Sequence, residues 1–334
     1  MCQQFFHRLI CFLLGVVVLL LPAPALHAQV IEWQMATEYP STSMPGEGLR
    51  FFAEAVARES GGRIILKTSF DAALGLKSAE MIAGVRDGRI AAGDAFAGAL
   101  GKVDPLFLVS SLPFATPTNA DARALYEAAR PLYVRRLAAE RQRLLYATPW
   151  PPSGLWAKKP ILTSADLVGL AIRTYDATGT KVFAAAGAAP VNLSFADTMP
   201  RLIDGSVVAV LSSGDGGAGR RLWDYLLYFT EINYAVPLSL ATLSDSAYTA
   251  LPTELRDAVE RAALAAEAHQ WRLLEGRLAE NYTRMAANGV TIIKAGDLAP
   301  ELRSLLAKSA AEAVAAWKNE VGSEGAALLS KIAR

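Results

Sequence analysis

The chain has 334 residues, of which 19% are charged and 52% hydrophobic, with a formal net charge of +1 at pH 7. That length allows two α/β domains with substantial cores, while the near-neutral balance and the lack of a basic run exclude nucleic acid as a partner. Only two cysteines and three histidines are present, so little metal or thiol chemistry is available.

Residues 1–28 read as an export signal. His7 and Arg8 form a basic start, and Leu9–Leu21 is an apolar run too short to span a bilayer comfortably. Pro22 and Pro24 break the run, and Ala25 and Ala28 both offer cleavage points, so a mature start between Leu26 and Ile31 is expected. Cleavage would remove Cys2, Cys11, His7 and His27 and leave His269 as the one histidine. Of the charged residues only Arg8 would go, which brings the balance to zero. A mature chain of this kind has no disulfide, no thiol nucleophile and no Cys/His metal site. No catalytic residue, metal or cofactor is expected, nor any membrane span after the signal.

Ile31–Ala36 alternates as a strand. Pro45–Glu59 follows as an amphipathic helix with Leu49, Phe52, Ala53 and Val56 on one face and Gly61 beyond its end. Ile64–Thr68 is a strand, Ser78–Asp87 a helix closed by Gly88, and Ile90–Phe96 a buried strand. Asn119–Arg143 reads as helical, with Pro131 expected to divide it. Thr148–Trp156 holds three prolines, a glycine and two tryptophans, and reads as an irregular crossover between domains. A second crossover is expected near Ala235-Val236-Pro237.

Between them, residues 167–223 alternate apolar runs with helices. Leu170–Arg173, Pro190–Leu193 and Val207–Leu211 are the runs, and Ala177–Ala186 and Phe195–Asp204 the helices. Gly187 and Gly205 close those helices, Ser194 can cap the second, and Pro200 predicts a kink or a late start in it. This β-α-β-α-β order implies parallel strands joined by right-handed crossovers, and the first 100 residues repeat it in architecture. Beyond the second crossover, Pro252–Asn288 reads as one helix of roughly 54 Å, longer than one domain is wide. Val290–Lys294 is a late strand and Pro300–Glu320 a terminal helix.

Ligands of such sheets bind where the strands end. Arg173 ends the first run, Asn192 lies near the end of the second, and Ser212, Ser213 and Asp215 follow the third. Glu38, Tyr39 and Phe96 end strands in the first half and face the same cleft. Tyr175 lies just beyond Arg173, and Trp150 and Trp156 lie in the crossover, where aromatic walls suit a small-molecule pocket. The planar fork of arginine suits a carboxylate, since it makes two parallel hydrogen bonds. Gly214–Gly219 lacks the Lys-Ser/Thr of a phosphate loop and the spacing of a dinucleotide fingerprint, and reads as a flexible connection. Asp94 and Asp215 form an acid/base pair only if the fold brings them together, and His269 reads as a surface or core residue.

Gly169-Leu170-Ala171-Ile172-Arg173-Thr174, then Gly187-Ala188-Ala189-Pro190-Val191, then the helix ending at Gly205, resemble the signature region of the periplasmic solute-binding proteins of TRAP (tripartite ATP-independent periplasmic) transporters. Ser60–Ile64, Gly88–Asp94 and Ser111–Phe114 are similar to further landmarks of that family, so the resemblance covers most of the chain after residue 30. It implies a two-lobed periplasmic-binding-protein fold, type II-like, with a long helix spanning both lobes. Lobe I would comprise 29–150 plus 239–278, and lobe II 151–238 plus 279–334. It also implies that Arg173 binds the carboxylate of a small organic acid, held between the lobes and passed to membrane permease subunits. The rival reading is a periplasmic α/β enzyme acting on a small carboxylate. Many members carry a second arginine where Ser153-Gly154-Leu155-Trp156 stand here, with Lys158 and Lys159 just after. Its absence predicts a monocarboxylate with an apolar or aromatic body rather than a dicarboxylate or a sugar acid.

Overall fold

A computed structural model describes residues 30–331. The expected export signal lies outside the described residues. The first half builds β1 (Ile31–Thr37), α1 (Met44–Glu59), β2 (Ile64–Ser69), α2 (Ser78–Arg86) and β3 (Ala92–Phe96). β1 pairs in parallel with both others, Ile31 opposite Ile64 and Met35 opposite Ala92. Ser43 caps α1 by accepting from Gly46 N, and Leu49, Phe52 and Val56 are its buried face, as the spacing predicts.

α3 (Asn119–Ala139) and β4 (Gln142–Pro149) follow. Thr118 and Asp121 close a capping box at the start of α3. Pro131 does not divide it, although an internal proline costs about 3 kcal/mol. Tyr126, Ala129, Tyr133 and Leu137 are buried on both sides of the proline, and this packing outweighs the lost hydrogen bond. The helix ends earlier than expected, because Arg141 takes a left-handed backbone (φ 58°) and reverses the chain. Arg143 therefore belongs to β4.

The second half adds β5 (Ser153–Ala157), β6 (Ala171–Thr174), α4 (Ala177–Ala185), β7 (Ala189–Asn192), α5 (Phe195–Ile203), β8 (Ala209–Ser213), α6 (Gly214–Gly219) and β9 (Tyr228–Thr230). Gly187 (φ 88°) and Gly205 (φ 77°) end α4 and α5 in the backbone that favours glycine. α5 starts without delay behind its Ser194 cap and runs through Pro200. The chain then returns through β10 (Leu238–Ser244), α7 (Asp245–Thr249), α8 (Thr253–Ala287), β11 (Thr291–Ile293), α9 (Pro300–Val321) and α10 (Ser323–Ser330).

Two sheets result, ordered β2-β1-β3-β10-β4 and β11-β9-β5-β8-β6-β7. Each has the same plan. Three parallel strands carry the β-α-β-α-β unit, and a strand from beyond a crossover joins antiparallel, β10 beside β3 and β5 beside β8. The crossovers are short and bonded to each other: Trp150 N donates to Pro237 O and Ser153 N to Ala235 O. The irregular segment between β4 and β5 is thus only three residues long, and Trp156 stands inside a strand. α8 packs on α1 and β4 of the first lobe and on α6 and β11 of the second. Its 35 residues reach roughly 52 Å. α9 packs on α4, and α10 returns to α3, where Glu324 bridges Arg135 and Arg136. The end of the chain therefore serves both lobes rather than the second alone.

Candidate ligand-binding site

The parallel strands of both sheets end toward one another, and a cavity of about 700 Å3 lies between the lobes. Glu38, Tyr39, Lys77 and Phe96 line it from the first lobe, and Arg173, Tyr175, Asn192 and Phe195 from the second. A tight chamber of about 20 Å3 shares Tyr39, Phe96, Arg173, Tyr175 and Phe195 with it and adds Trp150, Ser153, Ser212 and Ser213. Nine of the eleven residues expected from sequence therefore meet here.

Arg173 is the chemical centre. It is 3% exposed. Its Nε donates to Leu193 O at 2.9 Å and its Nη1 to Leu211 O at 3.2 Å, the carbonyls following β7 and within β8. These bonds fix the guanidinium plane but supply no negative charge, and no carboxylate lies within ion-pair distance among the described residues. Burial lowers the Arg173 pKa, opposed by Tyr39, Glu38, Tyr175 and Asp176. The side chain stays a cation at any physiological pH. Its Cζ lies 5.2 Å from the Phe195 ring centroid and 6.0 Å from that of Tyr175. Tyr39 meets Trp150 edge-on at 4.7 Å, and Phe96 meets Tyr175 at 5.0 Å. The chamber is thus one fixed cation inside an aromatic box, with serine hydroxyls at its rim. The chamber itself has room for little more than a water, so a carboxylate on a flat or apolar body would reach Arg173 from the larger cavity, which shares these walls.

Trp156 and Asp215 are not brought to the cavity. Trp156 is fully buried under α6, where its indole Nε1 donates to Ser213 O at 3.2 Å. A Cβ on Gly217 would come within 2.2 Å of its ring. The glycine-rich segment is therefore a short helix capped by Ser213, with its glycines allowing close approach to Trp156, rather than a flexible connection. Asp215 is held by Arg277 of α8 at 2.6 Å and accepts from Met44 N at 2.8 Å, so it ties the second lobe to the first instead of facing solute. Lys158 and Lys159 are exposed at the end of β5 and line neither chamber. His269 stacks on Phe51 at 4.2 Å, well suited to packing.

Phe195 was missed in the sequence. It is the first residue of α5, directly behind the Ser194 cap, so the strand-end rule applied to β7 as it was to β6 and β8 would have found it.

Asp94 does not pair with Asp215. It sits inside the first sheet, accepting from Thr37 Oγ1 at 3.0 Å, while its other oxygen is buried without a hydrogen-bond partner among the described residues. Burial pushes its pKa up to about 7, against the Thr37 hydrogen bond. In the unfolded chain an aspartate ionises near 3.9. As pH rises from there to about 7 the unfolded state loses its proton first, so this group's contribution to stability falls across that window. Asp94→Asn keeps the shape without the charge. It is expected to be more stable than the wild type at pH 8 by about 1–3 kcal/mol, with the advantage shrinking toward pH 5, as read by urea unfolding at both pH values.

Among the described residues no helix is long and apolar enough to cross a membrane. A family model described as bacterial extracellular solute-binding protein, family 7, matches residues 35–316. A comparison with curated proteins gives no match. Among solved structures the chain is similar to DctP7, a Bordetella pertussis extracytoplasmic solute receptor binding pyroglutamic acid, at 31% identity and a TM-score of 0.86, over 91% of this chain and 99% of that one. DctP6 of the same organism, also binding pyroglutamic acid, matches at 26% identity and a TM-score of 0.85, over 90% and 99%. A marine metagenome TRAP solute-binding protein specific for pyroglutamate matches at 26% and 0.86, over 91% and 99%. The chain belongs to the family 7 bacterial extracellular solute-binding proteins, a family of solute receptors rather than of enzymes.

Proposed function

We propose that this receptor captures a compact monocarboxylate of the size and kind of pyroglutamate, closes its lobes on it, and delivers it to the permease of a TRAP-type transporter after export to the periplasm. The observation that carries the reading is Arg173: a buried guanidinium, oriented by two backbone carbonyls and without a carboxylate of the described chain at ion-pair distance. A ligand carboxylate supplies the missing charge with the two-pronged geometry arginine favours. The aromatic walls from Tyr39, Phe96, Trp150, Tyr175 and Phe195 suit a small planar body, and the similar receptors at 31% and 26% identity bind one. Opening at the paired crossovers 150–152 and 231–237 would admit the solute and closing would return these walls to it, with lobe I as 29–150 plus 239–278.

A second ligand carboxylate at the Arg173 end of the cavity would meet the rings of Tyr39, Phe96, Trp150 and Phe195, since Lys77, Lys102 and Lys181 line the cavity but not this end. Burying a charge without a partner costs several kcal/mol, more than contact by the rest of a small acid offsets at about 25 cal/mol per Å2. A thermal-shift screen of the mature protein is expected to show the largest rise with pyroglutamate and small aromatic monocarboxylates, since a ligand of the native state raises the melting point. Succinate and galactonate are expected to leave it nearly unmoved. A larger rise with either of those two contradicts the monocarboxylate reading.

A further inference from the structure

We propose that Glu38 is the clasp that holds the two lobes together and thereby sets how long a solute stays bound; this rests on the receptor reading above. Glu38 follows β1 in the first lobe and is 1% exposed. Its Oε2 accepts from Ser78 N at 2.9 Å, the first residue of α2 in the same lobe. Its Oε1 accepts from Ala196 N at 3.0 Å, in the first turn of α5 in the other lobe. One carboxylate thus joins the N-terminal ends of two helices across the cleft, where the helix dipoles favour negative charge. Both carboxylate oxygens of Glu38 are therefore committed to backbone N–H groups, one in each lobe.

Its surroundings belong to the same contact. Arg220 of the second lobe donates to Glu38 O at 2.8 Å and stands 3.1 Å from Asp71 of the first. Lys77, next to Ser78, meets Asp197, next to Ala196, at 2.8 Å. That ion pair is half exposed and contributes little. The buried Glu38 carboxylate is the stronger link, because charge-assisted bonds to backbone N–H groups strengthen as water is excluded. Ala196 also follows Phe195, whose ring covers Arg173. The bond that shuts the lobes is therefore one residue from the ring that covers the solute's cation.

Opening the cleft would take Ala196 N away from Glu38 and give the carboxylate back to water. A contact made only in the shut form acts on escape rather than on entry, so it changes the dissociation rate and leaves association nearly alone. The chemistry needs a carboxylate, because two N–H groups point at it. An amide offers one oxygen and sets its NH2 against the second N–H.

Glu38→Gln keeps the shape and removes this capacity, and Glu38→Asp keeps the charge but is one methylene too short to reach both helices. The described chain contains no cysteine, so Arg89→Cys in the first lobe and Ile203→Cys at the end of α5, both exposed, can carry spin labels without competition. Pulsed EPR without solute is expected to show the ratio of short to long inter-label distances lowered about tenfold in Glu38→Gln, which is about 1.4 kcal/mol. With pyroglutamate, stopped-flow is expected to show about tenfold faster dissociation, unchanged association and an unchanged melting point of the solute-free protein. Glu38→Asp is expected to fall between the two. Wild-type distances and wild-type dissociation in both variants overturn the clasp. A lower melting point with unchanged distances also overturns it, since that is what a structural role within the first lobe gives. If the wild type binds no acid at all, the receptor reading fails, while the solute-free distances still decide on the clasp.

Discussion

Arg173→Ala is expected to weaken pyroglutamate binding by about 2–5 kcal/mol, the usual cost of truncating one member of a buried charge pair, without loss of the fold. The guanidinium is buried and carries no ion pair among the described residues. Its removal takes away a desolvated charge that no carboxylate of the described chain approaches to ion-pair distance, Glu38 and Asp176 acting on it only from farther away. The solute-free melting point is therefore expected to hold or rise, in contrast to the binding. Arg173→Lys tests geometry separately from charge. A lysine ammonium cannot bond Leu193 O and Leu211 O while presenting two parallel N–H groups to a carboxylate. Most of the affinity is expected to go with it. Calorimetric titration checks both variants, and wild-type affinity in either would remove Arg173 from the site.

Arg277→Leu is expected to destabilise the protein by about 3–5 kcal/mol, because breaking a buried pair leaves an uncompensated charge. Arg277 is 3% exposed and Asp215 1%. From the middle of α8 its Nε reaches Asp215 of the second lobe at 2.6 Å, and its Nη2 reaches Glu47 of the first at 2.7 Å and Thr42 O at 3.2 Å. Burial works against the charge on Arg277, but Asp215 and Glu47 outweigh it and raise its pKa. Without Arg277, Asp215 keeps only Met44 N and Asn281 as partners. Denaturant unfolding reads the loss as a lower midpoint with an unchanged slope.

The two β-α-β-α-β units were legible in the sequence because each helix carries its own punctuation. Ser43, Ser194, Gly187 and Gly205 act locally, and local signals survive in a sequence. Arg173 was legible for the same reason, since a strand end is a local address. Asp215 and Trp156 were not. Their partners, Arg277 and Gly217, lie 62 and 61 positions away, and no periodicity marks such pairs. Pro131 misled because propensity speaks for one turn of helix, whereas Tyr126, Tyr133 and Leu137 bury a face along several. Glu38 was read as a ligand-binding residue and lines the cavity, but the role proposed for it depends on Ala196 N, a backbone group 158 positions away that no side-chain pattern announces.

A monocarboxylate is expected to sit on Arg173 at the aromatic end of the cavity between the lobes. A crystal structure of the mature protein with pyroglutamate tests it most directly. One molecule is expected between the lobes, its carboxylate within hydrogen-bond distance of the Arg173 guanidinium and its ring against Tyr39, Phe96 and Phe195. A carboxylate held instead by Lys77 or Lys181 at the cavity mouth, with Arg173 untouched, would contradict it.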